Sequence, residues 1–144
     1  MNRYVRLVTP PLPPLAASIG LLALRLVAGL AFIHHGWGKI QNPFGWAGED
    51  STIPGFLLAL AALSEFGGGI AWILGLLTPL ASFGLLCTMS YATWFHVSSG
   101  DPFVGMGRSY EPALVYAMVA LLFLLAGPGR LSLDALIFRR SKKA

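Results

Sequence analysis

Seven side chains in this 144-residue sequence stand where chemistry is expensive. Arg25 lies in the middle of an apolar run that closes on His34, His35 and Lys39. Glu65 interrupts a second apolar run, His96 ends a third, and Glu111 opens a fourth. An ionisable group at hydrocarbon depth is costly, so such positions mark pairing, proton transfer or ligand contact. Carboxylate and imidazole exchange protons, whereas ammonium and guanidinium donate hydrogen bonds and offset negative charge. Glu65 and His35 are therefore the candidate proton-handling residues, and Arg25, His35, Lys39, Glu65, His96 and Glu111 the candidate ligand-binding set. His34 drops out. At helical spacing His35 and Lys39 share a face, roughly that of Arg25, and His34 points elsewhere.

The elements that must position these groups are hydrophobic helices. Apolar residues make up 56% of the chain and charged residues only 11%, where a soluble domain carries roughly a quarter charged. An all-α integral membrane protein is expected, not a soluble globule. The net charge of +4 comes mostly from the two ends, so it predicts orientation in a bilayer and no nucleic-acid partner. The single cysteine, Cys87, excludes an internal disulfide and any CxxC redox or zinc motif.

Residues 1–14 form a basic segment with four prolines in Pro10–Pro14, expected to be stiff and extended. Residues 15–129 hold four expected spans, at about 15–38, 54–77, 79–97 and 112–127. The first apolar run is too long for a signal peptide and reads as a retained span. Its ten Leu, Ile, Val and Phe residues between positions 15 and 35 supply roughly −3 to −6 kcal/mol of insertion energy, against about +3 for a central arginine. The narrow margin predicts a partner for Arg25. Trp37 and Trp46 flank the end of the span as interfacial aromatics do. Residues 130–144 form a basic tail in which Ser132 caps a short helix carrying Asp134 in its first turn, its apolar side on the membrane surface.

Seven basic residues (Arg3, Arg6, Arg130, Arg139, Arg140, Lys142, Lys143) lie at the termini, and only Lys39 and Arg108 lie in the first and third loops. That asymmetry places both termini in the cytoplasm and requires an even number of spans, giving an antiparallel bundle of four. Counting from the two faces at 1.5 Å per residue puts Arg25 and Glu65 both near the midplane, an expected ion pair. The same topology gathers His35, Lys39, His96 and Glu111 at the outer face.

A quinone or quinol head group suits that outer-face set, which offers donors, proton carriers and aromatic rings (Tyr91, Tyr110). Haem would need His35 and His96 facing each other, and a metal would need His35, His96 and Glu111. No motif supports either, and no metal site is assigned.

The ordered pieces Arg25-Leu26 with Gly29, Phe32, His35-Gly36-Trp37-Gly38-Lys39, Glu65 with Gly68-Gly69, Gly75-Leu76-Leu77-Thr78, His96, Glu111 and Gly127-Pro128-Gly129-Arg130-Leu131-Ser132-Leu133-Asp134 resemble the DoxX family of small bacterial membrane proteins. The resemblance implies a multi-pass four-helix bundle in the bacterial cytoplasmic (inner) membrane. It further implies association with quinone-linked oxidoreductases, with Arg25, His35, Lys39, Glu65, His96 and Glu111 as functional positions. It names no reaction for this chain. A partner oxidoreductase complex or a homo-oligomer is the expected company besides lipid. A non-enzymatic membrane scaffold or assembly partner, and a small-solute or proton carrier, are the alternatives.

Overall fold

The computed structural model describes residues 13–140, with the side chains of 139 and 140 left aside. The N-terminal segment, apart from Pro13 and Pro14, and the last four residues of the basic tail thus lie outside the described residues. All described regular structure is helical: α1 (Leu15–Gln41), α2 (Gly55–Leu74), α3 (Thr78–Ser98), α4 (Glu111–Ala126) and the short α5 (Leu133–Arg140).

Punctuation in the sequence explains each boundary. Pro14 precedes α1, and Pro43 just beyond Asn42 restricts the chain where that helix ends. Gly75 ends α2 in the left-handed conformation (φ 64°) that a Cβ disfavours. Pro79 and Pro112 sit in the first turns of α3 and α4, where a missing N–H costs nothing. Gly127 stops α4.

Helix α1 packs on α2, α2 on α3, and α3 on α4. The α1–α2 crossing is set by glycine. A Cβ on Gly29 would come within 2.7 Å of the Gly69 carbonyl oxygen, and one on Gly36 within 2.5 Å of the Phe66 amide nitrogen. Small residues allow such backbone approach, which lipid-embedded helices use in place of a hydrophobic drive. Between α2 and α3, Trp72 Nε1 donates to Ser82 Oγ at 3.0 Å, and the Ser64 and Thr88 hydroxyls meet at 2.7 Å. The centre is an aromatic stack linking three helices: Phe32 and Trp72 centroids are 5.4 Å apart, Trp72 and Phe123 4.8 Å, Phe32 and Tyr116 4.9 Å.

The core is apolar, built around Phe32, Trp72, Leu85 and Phe123, yet it also encloses polar groups while aliphatic side chains cover the outside. Ser18, Arg25, Glu65, Thr78 and Ser82 are buried, whereas Val27, Leu30, Leu60, Leu63, Leu80 and Leu125 are exposed. Among the described residues, two helices, α1 and α2, are long and apolar enough to cross a membrane, and α4 is a shorter apolar helix.

Candidate functional site

The polar groups resolve into three separate loci. The first is Arg25. From α1 it enters the space between the C-terminus of α2 and the segment that follows α4. Its Nε donates to the Trp72 carbonyl at 2.7 Å and Nη2 to that of Ile73 at 3.1 Å; Nη1 donates to Pro128 at 2.7 Å and Leu131 at 3.0 Å. Carbonyls at a helix C-terminus have no partner within the helix and carry its negative dipole end, so a cation there is doubly favoured. Arg25 thereby ties α1, α2 and the α4–α5 connection into one knot. Gly75 lies against the guanidinium, where a Cβ would stand 2.8 Å from Cζ.

The second locus is Lys39 and Glu65. Lys39 Nζ sits 2.6 and 2.7 Å from the two carboxylate oxygens of Glu65. Glu65 is 2% exposed and Lys39 27%, so the pair is sunk in the α1–α2 interface with the lysine end reachable from the loop. The Trp46 ring lies over Nζ at 4.5 Å, a cation–π contact. Trp46 is held there because its own Nε1 donates to the Leu58 carbonyl at 2.9 Å. His35, one turn before Lys39, packs edge-on against Tyr116 of α4 and Phe32.

This corrects the expected midplane ion pair between Arg25 and Glu65, which does not form. Depth counted inward from each face assumed spans of one bilayer thickness. Helix α1 has 27 residues, roughly 40 Å, and the Gly29–Gly69 and Gly36–Phe66 contacts fix its register on α2. Arg25 is therefore level with Trp72 and Ile73, about 12 Å along the axis from Glu65. Glu65 belongs instead with Lys39. Nor do Arg25 and His35 share a face, since ten residues leave them about 80° apart around a helix of 3.6 residues per turn.

The third locus is the α3–α4 connection. His96 Nδ1 and Arg108 Nε lie 2.7 and 3.2 Å from Asp101 Oδ2, and the Asp101 amide donates to the His96 carbonyl at 3.0 Å. Among the described residues, no hydrogen bond or ring contact joins His96 to His35, Lys39 or Glu111. The expected outer-face cluster is thus divided. Lys39 goes to Glu65, and His96 goes to Asp101. Glu111 caps nothing with its side chain and starts α4, its amide donating to the Phe103 carbonyl at 3.1 Å. No three His, Cys, Asp or Glu residues among those described are placed to share a metal ion.

Two residues with structural weight escaped the sequence reading. Trp46 was legible only as an interfacial aromatic; its place over Lys39 depends on a loop fold that no spacing rule encodes. Asp134 was assigned to its own helix, which Ser132 does cap (Ala135 N to Ser132 Oγ, 3.2 Å). Its carboxylate instead accepts from the Leu77 and Thr78 amides at 2.8 and 2.9 Å, capping α3 across more than fifty residues.

Described residues that are helical throughout their regular structure, with charges inside, aliphatic residues outside and a knotted helix end, are built as a small helical membrane protein. Residues 20–97, more than half the chain, match the DoxX family, and this chain belongs to that family. The match contains Arg25, His35, Lys39, Glu65 and His96 but not Glu111. Similar proteins include an uncharacterised protein of Haemophilus influenzae (35% identical, covering 83% of this chain and 92% of the relative). Another is "Inner membrane protein YqjF" of Escherichia coli (34%, covering 85% and 95%). A third, "Putative oxidoreductase CatD" of Bacillus subtilis, is 29% identical, covering 87% of this chain and 92% of the relative. No solved structure matches the chain.

Proposed function

We propose that this protein is a four-span bundle of the bacterial inner membrane, both termini cytoplasmic, that binds a quinone or quinol head group beside the Lys39–Glu65 pair and serves a partner oxidoreductase. The observation that carries the reading is the pair itself: a buried carboxylate held by one partly accessible ammonium under an indole ring. Desolvating two charges is rarely repaid by their attraction alone, so retention of such a pair at this depth calls for a use. A quinone carbonyl accepts a hydrogen bond from an ammonium, and its ring stacks on an indole. Its reduction takes up an electron pair and a pair of protons. The partner supplies the electrons, and the two protons come from the aqueous phase, each passing from the Lys39 ammonium to a quinone oxygen and being replaced from water, while the Glu65 carboxylate holds the ammonium in place and His35 lies one turn away. The inner-membrane relative and the relative whose name includes an oxidoreductase support location and redox context.

The test is extraction of the protein in mild detergent, followed by mass spectrometry of co-purifying lipids and by Trp fluorescence on addition of a short-chain quinone. Bound quinone in the wild type, quenching of indole emission, and loss of both in Glu65→Gln are expected. Wild-type protein that carries no quinone and shows no fluorescence response would sink the reading in favour of a scaffold.

A further inference from the structure

In the N-terminal half of α1, away from Lys39, a groove of about 440 Å³ opens against the end of α2 and the start of α5. Its walls include Leu22, Leu74, Leu131 and Leu136, and its cations are Arg25 and Arg130. Among the described residues no acid lines it. The nearby carboxylate of Asp134 is turned away and spent on the Leu77 and Thr78 amides. Arg130 is exposed and lines the groove, and among the described residues its side chain makes one hydrogen bond, Nε to the Pro13 carbonyl at 2.8 Å. A site with apolar walls and uncompensated guanidinium charge at its rim is complementary to an amphiphile with an anionic head and an acyl chain. Leu136 is 65% exposed and Leu131 43%, so the chain of such a molecule has aliphatic surface to lie on. Guanidinium groups recognise phosphate oxygens through paired N–H donors.

We infer that this groove is a binding site for an anionic glycerophospholipid of the surrounding leaflet, its phosphate on Arg130 at the rim and its acyl chain along Leu22, Leu74 and Leu136. The site is separate from the Lys39–Glu65 locus and rests only on the membrane-spanning part of the proposed function. The occupied groove would brace the knot around Arg25, linking lipid composition to the packing of α5.

The experiment uses the full chain, delipidated in detergent and offered equal amounts of phosphatidylglycerol and phosphatidylcholine, with adducts counted by native mass spectrometry. Phosphatidylglycerol is expected to be retained over phosphatidylcholine by roughly fivefold, the effect of about one basic residue at a lipid surface. Arg130→Gln and Leu136→Glu should each abolish the preference. Replacing Arg139, Arg140, Lys142 and Lys143 by Gln should preserve it. Equal adducts of the two lipids in the wild type would overturn the inference, as would a preference that follows the tail and ignores Arg130. Displacement of phosphatidylglycerol by inorganic phosphate would also overturn it, by making the site one for a free anion. Alkaline extraction of native membranes is run alongside: release of the protein would defeat the membrane-spanning reading whatever the adduct ratio.

Discussion

Arg25 and Glu65 are two buried charges with opposite solutions. Arg25 is satisfied by backbone carbonyls, so its removal exposes helix ends. We expect Arg25→Ala to lose at least about 3 kcal/mol, read by denaturant unfolding in mild detergent, and Arg25→Lys to recover only part of it. An ammonium is a compact donor that cannot span carbonyls on two segments as a planar fork does. Glu65 is satisfied by another side chain, which makes the pair separable. Glu65→Gln leaves Lys39 without its counter-charge and should cost about 3 kcal/mol, whereas Glu65→Gln with Lys39→Met removes both charges and should restore most of the stability. Quinone binding should stay lost in the double variant. If it survives there, the pair only holds the helices together.

At the scale of elements, the register of α1 on α2 is the decisive variable. Gly36→Leu would push a side chain into the Phe66 backbone and should destabilise by about 1–3 kcal/mol. Because the same crossing brings Lys39 to Glu65, the substitution should weaken quinone binding as well, measurable by the same quenching titration. The α2–α3 turn is a second device. Leu77 adopts a left-handed φ of 49°, a conformation unfavourable for a side chain with a Cβ, and the Asp134 carboxylate holds it there. Asp134→Ala should cost about 1 kcal/mol, as loss of a helix N-cap does. In the same turn the Thr78 hydroxyl is buried with no hydrogen-bond partner among the described residues. Thr78→Val keeps the shape and removes the unpaired group, so a small gain in thermal stability is expected.

For the whole molecule, buried charges inside an apolar core with aliphatic side chains on the outside are the global signature, and topology is the global prediction. Reporter fusions at residue 144 and within the 42–54 loop should report cytoplasmic and periplasmic sides respectively. The reverse pattern would contradict the proposed orientation, and the same side for both would contradict the four-span reading. In the expected orientation the two inner-face features, the knot at Arg25 and the lipid groove, face the cytoplasmic leaflet, and Lys39–Glu65 the outer one.

Helix identity was readable from sequence because it depends on local facts: apolar length, proline in first turns, glycine at ends. The boundaries shifted by only a few residues, most at the ends of α1, which extends to Gln41, and of α2, which stops at Leu74. The family was readable for the same reason, as short motifs in a fixed order. The polar residues set among apolar helices were also plain to see, since hydrocarbon makes each one conspicuous. What each of them touches was not. Depth along one helix says nothing of its slide against a neighbour, and that slide is set by where Gly29, Gly36 and Gly69 let two backbones meet. A displacement of about 12 Å moved Glu65 from Arg25 to Lys39. Asp134, Trp46 and Asp101 likewise acquired their partners through loops whose path is a tertiary outcome. The sequence by itself determined that this chain buries charge among hydrophobic helices; only the packed helices decided which charges meet, because pairing depends on register and register on close contact.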